Sequence, residues 1–237
     1  MRLKTHSPLG CWPKDSRNPA GVDACDYFTF PKAAKVQKTL PRDLDEQELN
    51  RLFQAAGNAT YAGRRPPHHP SRLWRAYLIP HYNCGPRTFD LTVWQTAKVN
   101  WNFNKDGCPA SIEFVAKKTN KTQLLPLNAT SAAALKAIRH DGEFIWPGWQ
   151  RQNATHVRKT WRKLCASAGV DCVMEDFRKT CNSRYQSHAP GVGPWILGHS
   201  TIGVNATNYW NPTRDILTAM ATFPQPACFT DWVASLT

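Results

Sequence analysis

Leu197-Gly198-His199-Ser200 is followed, ten residues after the histidine, by Tyr209. Outward from this stretch, toward the N-terminus, a cation stands at each step. Arg178 closes Glu175-Asp176-Phe177-Arg178, Lys118 lies ahead of a strand-like Leu124-Leu125-Pro126-Leu127, and Arg87 sits in Gly85-Pro86-Arg87-Thr88-Phe89-Asp90-Leu91. Along the chain the order is Arg, Lys, Arg, His, Tyr. Two guanidinium groups suit a phosphodiester, being planar, always charged and able to bond two oxygens at once, and the pentacoordinate transition state carries still more negative charge. A tyrosine hydroxyl has an ordinary pKa of about 10, so nearby positive charge eases its deprotonation to a nucleophile. Taken singly, each residue reads as a surface salt bridge or a satisfied structural side chain. Only the order makes a site.

That order resembles the catalytic domain of the tyrosine recombinases, the phage-integrase family, over roughly residues 41–215. The resemblance implies an α+β, mainly helical fold with a small antiparallel β-sheet. It also implies a DNA strand transferase that cuts and rejoins double-stranded DNA through a 3′-phosphotyrosyl link, with no cofactor, metal or ATP. On the matching positions, Arg87 and Arg178 bind the phosphate and Asp90 buttresses Arg87. Lys118 protonates the departing 5′ oxygen, His199 bonds a nonbridging oxygen or moves the nucleophile's proton, and Tyr209 attacks. Lys117 competes with Lys118, because a one-residue slip on a strand flips the side chain. Lys118 directly precedes Thr119, as the family lysine usually does. Family members usually act as homo-tetramers on paired DNA sites, with the C-terminal segment docked on a neighbour. Residues 216–237 are the corresponding tail, with Trp232, Val233 and Leu236 as its apolar contacts.

Two departures stand out. The family's His-x-x-Arg reads Glu175-Asp176-Phe177-Arg178 here. A carboxylate accepts a tyrosine proton, but it repels the scissile phosphate unless protonated or paired. Glu175 is therefore a replaced base, a side chain turned out of the site, or a mark of decay. The interval from His199 to Tyr209 is also slightly longer than usual, and Thr-x-x-Tyr becomes Ala206-Thr207-Asn208-Tyr209. These features keep a second reading open, a non-catalytic DNA-binding relic. A type IB topoisomerase uses similar residues. An RNA- or ribosome-associated protein is the rival from another class, with tryptophans as stacking surfaces.

Composition agrees with a nucleic-acid partner. The 237 residues carry a formal net charge of +13, with a sequence pI of about 9.6, and a basic domain of this size most often meets a polyanion. No apolar run reaches the length of a membrane span. The start, Met1-Arg2-Leu3-Lys4-Thr5, has no apolar core of a secretory signal, which predicts a cytoplasmic protein without a membrane partner. Cys11, Cys25, Cys84, Cys108, Cys165, Cys172, Cys181 and Cys228 form no Cys-x-x-Cys pair, so they read as small hydrophobes rather than zinc ligands. The Asn-x-Ser/Thr sites at Asn58, Asn120, Asn128, Asn153 and Asn205 have no secretory route. Asn128 and Asn153 read instead as helix N-caps.

Residues 1–40 read as an extended arm or linker, rich in Pro, Lys, Gly and Asp, in which Asn18-Pro19-Ala20-Gly21 resembles the family's linker and the usual N-terminal DNA-clamping domain is not evident. Asp45-Glu46-Gln47-Glu48 predicts a capping box ahead of Leu49, Leu52 and Phe53, with Gly57 closing the helix. A second helix is expected over 71–82, its last turn perturbed by Pro80. Strands are expected over 98–103, 111–116 and 123–127. Helices follow over 135–140, 154–168, 176–186, 193–197 and 212–221. In the fourth-last of these stretches, Val157, Trp161, Leu164 and Cys165 line one face, with Arg158, Lys159, Arg162 and Lys163 between them, an amphipathic basic helix. Trp74, Trp94 and Trp161 sit in apolar patterns that read as core.

Overall fold

The structure, a computed structural model, describes residues 42–60, 62, 66–149, 154–198 and 212–236. The expected arm over 1–40 and the cap at Asn153 lie outside them. Helix α1 (Glu46–Gly57) begins as its sequence predicts. The Asp45 side chain accepts the Glu48 N–H at 2.7 Å, and Glu48 accepts the Asp45 N–H at 3.2 Å. Two of the helix's orphan donors are thereby satisfied. Its buried face is Leu49, Leu52, Phe53 and Ala56.

Helix α2 (Pro70–Cys84) runs through Pro80 and is buried over most of its length. It stops at Gly85, whose φ of 53° is left-handed, and a Cβ there would lie 2.5 Å from Leu197 Cδ2 and 2.9 Å from Cys181 Sγ. Only glycine fits both demands. The one-turn helix α3 (Thr88–Leu91) follows at once. Three antiparallel strands, β1 (Val99–Asn100), β2 (Ala110–Ala116) and β3 (Lys121–Leu127), form a sheet in chain order. Val99 pairs with Ile112, and Ala110 to Ala116 pair with Leu127 to Lys121. The first strand is shorter than the 98–103 expected. Asn100 accepts the Asn102 N–H, and Asn104, Asp106 and Gly107 all take positive φ, so the chain turns before a ladder can extend.

Helix α4 (Ala129–Ala137) starts earlier than the expected 135–140, because Asn128 caps it by accepting the Ser131 N–H at 3.0 Å. Then come α5 (Ala154–Ala168), α6 (Met174–His188), α7 (Gly193–Ile196), α8 (Pro212–Ala221) and α9 (Ala227–Ala234). Helix α1 packs on α2 and α5, and α2 packs on α4 and α6. The centre is aromatic. Trp74 lies 4.8 Å from Trp149, Trp94 lies 6.0 Å from Trp146, and Trp161 meets Phe177 edge-on at 5.8 Å. Trp74, Trp94 and Trp161 are buried, as their patterns predict, which removes them as exposed stacking platforms.

The last segment departs from the expected division of the chain. A boundary after residue 215 cuts α8, and residues beyond it belong to the same core. Leu217, Met220, Phe223 and Phe229 are buried. Phe229 packs 4.9 Å from Phe53 and 5.5 Å from Tyr82, Phe223 stacks on Tyr185 at 3.9 Å, and Trp232 lies edge-on to Phe53 at 5.9 Å. Trp232 and Val233 pack against the core of their own chain. No helix among the described residues is long and apolar enough to cross a membrane.

Candidate active site

Arg178 projects from the second turn of α6 into a seat made of backbone. Its Nη1 donates to Gly85 O, and its Nη2 donates to Leu197 O at 2.8 Å. The first carbonyl leads into the Arg87 turn, and the second directly precedes Gly198 and His199. One guanidinium therefore joins both motifs. Burial lowers its pKa from the ordinary 12.5, and the Arg87 charge pushes the same way, while Glu175 opposes them. Two neighbouring cations that partly disfavour each other are stabilised by an anion between them.

Arg87 caps the start of α3, and its Nη1 lies 3.7 Å from Asp90 Oδ2. Asp90 is buried, with a relative exposure of 2%. Its other oxygen accepts the Lys117 backbone N–H at 2.9 Å. The aspartate read as a buttress for Arg87 also ties that turn to the end of the β2–β3 hairpin. Lys117 and Lys118 both sit in the turn between those strands, exposed, with Asn120 at a φ of 53°. The strand-flip argument that set one lysine against the other therefore does not apply: neither stands on a strand. Among the described residues the Lys118 side chain has no hydrogen bond or ion pair, while the Lys117 backbone is tethered.

Glu175 lies in the first turn of α6, with its carboxylate 3.9 Å from Arg178 Nε. It is paired, and its side chain is 55% exposed. It lines a groove of about 510 Å³ together with Arg87, Arg158, Arg162 and Cys172. Basic residues of the amphipathic α5 therefore share this groove with Arg87.

Sequence reasoning missed His81. It is buried in α2, stacked on Phe177 at 5.4 Å and edge-on to Tyr77 at 5.3 Å. Among the described residues, neither ring nitrogen has a hydrogen-bond partner. Burial, then the nearby Arg178 charge, push its pKa from 6.5 down to about 3, with a weaker opposing pull from the Pro86 backbone. A neutral ring thus lies beneath the arginine seat. No local pattern signals it, because Phe177 and Arg178 reach it from a distant segment.

Gly198 is held at a φ of 65°, and a Cβ there would meet Gln123 Nε2 of β3 at 2.5 Å. The Leu-Gly-His stretch is therefore delivered beside the sheet at a position only glycine fills. His199 and Tyr209 lie outside the described residues.

No protein-family model matches the chain, and no curated protein matches it in sequence. Solved structures do. The integrase from mycobacterium phage Brujita aligns with 85% of this chain at 15% identity and a TM-score of 0.56. A lambda integrase fragment (residues 75–356), solved as a dimer bound to a COC' core site, aligns with 76% at 15% identity and a TM-score of 0.52. XerH recombinase bound to difH, in a post-cleavage complex, aligns with 78% at 14% identity and a TM-score of 0.52. The fold is that of the tyrosine recombinases. The chain covers 65%, 64% and 51% of those three recombinase chains respectively. Within this tyrosine-recombinase fold, Arg87 and Glu175 line one groove, Arg178 contacts Glu175 and Asp90 contacts Arg87, and the Lys117–Lys118 turn is tied in through Asp90.

Proposed function

We propose that the chain is a DNA strand transferase of the tyrosine-recombinase type. The observation that carries this reading is the proximity of Arg178, seated on the Gly85 carbonyl, to Arg87 of the following turn in a recombinase fold. In the reaction, the two guanidinium groups hold the nonbridging oxygens of the scissile phosphate and stabilise its added charge in the transition state. The Tyr209 oxygen attacks phosphorus, forms a 3′-phosphotyrosyl bond and expels the 5′ oxygen. Lys118 donates the proton which that oxygen takes up. His199 bonds a nonbridging oxygen or carries the tyrosine proton. Glu175 acts as the alternative acceptor of that proton, its charge offset by Arg178. Attack by a 5′ hydroxyl reverses the sequence and rejoins the strand. The net charge of +13 favours double-stranded DNA as the partner. A tetramer on paired sites and a role in integrating, excising or resolving a mobile element complete the reading.

Incubation with a nicked suicide DNA substrate tests it. A protein–DNA adduct that survives a denaturing gel and disappears in Tyr209→Phe is the expected result. The Glu175–Arg178 contact favours a second reading, a DNA-binding relative without strand transfer. In that case DNA binding is steeply salt-dependent, no adduct forms, and Glu175→His is the variant that restores one.

A further inference from the structure

We infer that Cys165 and Cys172 form an oxidation site, closed into a disulfide by a peroxide at the wall of the basic groove. Cys165 lies in the last turn of α5. The helix ends at Gly169, with a φ of 62°, and Val170 N–H returns to Cys165 O at 3.0 Å. This reversal brings Cys172 back alongside, where its carbonyl accepts the Trp161 indole N–H at 3.0 Å. The two sulfurs stand 3.6 Å apart. A disulfide needs about 2.05 Å, so the sulfurs must close by roughly 1.5 Å, a distance side-chain torsions supply.

Both cysteines are buried, but Cys172 lines the groove and touches Cys165, so a small oxidant entering there meets the pair at its Cys172 side. The thiolate is the reactive form of cysteine. The Cys172 thiol hydrogen-bonds to Cys165 and lowers the Cys165 pKa from its ordinary 9.0. The same bond, with burial behind it, raises the Cys172 thiol, and burial raises Cys84 and Cys181 and lifts Cys108 and Cys228 to about 11.

Hydrogen peroxide is the fitting reactant. The Cys165 thiolate attacks one peroxide oxygen, giving a sulfenic acid and hydroxide. The Cys172 sulfur then attacks the Cys165 sulfur and expels the second hydroxide, which takes up the Cys172 proton. Two thiols and one peroxide become one disulfide and two waters. The bond tethers the segment leading into Glu175 to α5, whose Arg158 and Arg162 line the same groove. The groove's shape then depends on the redox state of its wall. Neither cysteine takes part in the proposed strand transfer, so the outcome is independent of whether an adduct forms at Tyr209.

Peptide mapping of the full chain decides it. The protein is treated with hydrogen peroxide, denatured with N-ethylmaleimide and digested with trypsin. The Leu164–Arg178 peptide carries both cysteines and is expected about 2 Da light, unlabelled, and restored by dithiothreitol. Cys84 and Cys181 are expected to take the label. In Cys172→Ser, Cys165 is expected to proceed to sulfinic acid for want of a resolving thiol. Labelling of both Cys165 and Cys172, after a dose that fully oxidises glutathione in the same tube, overturns the assignment.

Discussion

Arg178 and Lys118 serve one proposed reaction from opposite kinds of ground. Arg178 is buried and held by two main-chain carbonyls from separate segments. Lys118 is exposed on a hairpin turn, and its only bracing is indirect, through the Asp90 bond to the neighbouring Lys117 N–H. The difference follows from what each group must do. A phosphate clamp works through geometry fixed before the substrate arrives, so its cost is met in folding. A proton donor must approach one atom, and an exposed side chain on a turn keeps its reach. Asp90 belongs to both regions and sets the distance between them.

Removing Arg178 strikes the braced region hardest. Arg178→Ala leaves Gly85 O and Leu197 O without their guanidinium partner and is expected to destabilise the fold by about 3–5 kcal/mol in urea melts. Arg178→Lys cannot restore both bonds, because an ammonium lacks the planar fork. Acid provides the next test. The folded-state pKa of His81 is depressed from 6.5 to about 3. Between those values the unfolded chain binds a proton that the folded chain refuses. The contribution is thus fully present above pH 6.5 and is lost as pH falls toward 3, by up to about 4 kcal/mol. His81→Phe, which keeps the ring against Phe177, is expected to flatten that slope in melts run from pH 7 to 4. Asp90→Ala is expected to cost about 1–3 kcal/mol, because the Lys117 N–H loses its buried acceptor. It also separates the two regions, so adduct formation should fall more than DNA affinity does. Lys118→Ala is expected to change stability by less than about 0.5 kcal/mol while slowing adduct formation about 100-fold or more. If Lys117→Ala slows it instead, the proton donor is the other lysine of the turn.

Local signals were legible in the sequence, and long-range ones were not. The Asp45–Glu48 capping box, the Asn128 cap and the amphipathic α5 each depend on residues within one or two turns of one another. The order of the motifs predicted the recombinase fold and the meeting of Arg87 with Arg178. The carbonyls that seat Arg178, the bond from Asp90 to Lys117 and the unpartnered His81 arise between segments far apart in the chain. Spacing does not encode them. The Cys165–Cys172 contact was hidden for a different reason: seven residues is no ligand spacing, and only the reversal at Gly169 joins the two sulfurs. Strand β1 fell short of its pattern because the positive-φ residues Asn104, Asp106 and Gly107 override β-propensity. The C-terminal helices read as a separate tail because their apolar residues match partners in α1 and α2, more than 140 positions upstream.

That last pairing has a consequence for how the chain is made. Phe53 and Tyr82 are translated early, yet their cover is Phe229, and Gln225 reaches back to donate to Asn83 Oδ1 at 2.7 Å. Asn83 in turn holds Ser131 and accepts the Tyr185 hydroxyl. On the ribosome, this polar clasp and the aromatic face beside it stay open until residues 225–229 clear the exit tunnel. The arginine seat on α6 is therefore completed on a scaffold that closes only once residues 225–229 are made, and a nascent chain paused before that point presents an unfinished core to chaperones.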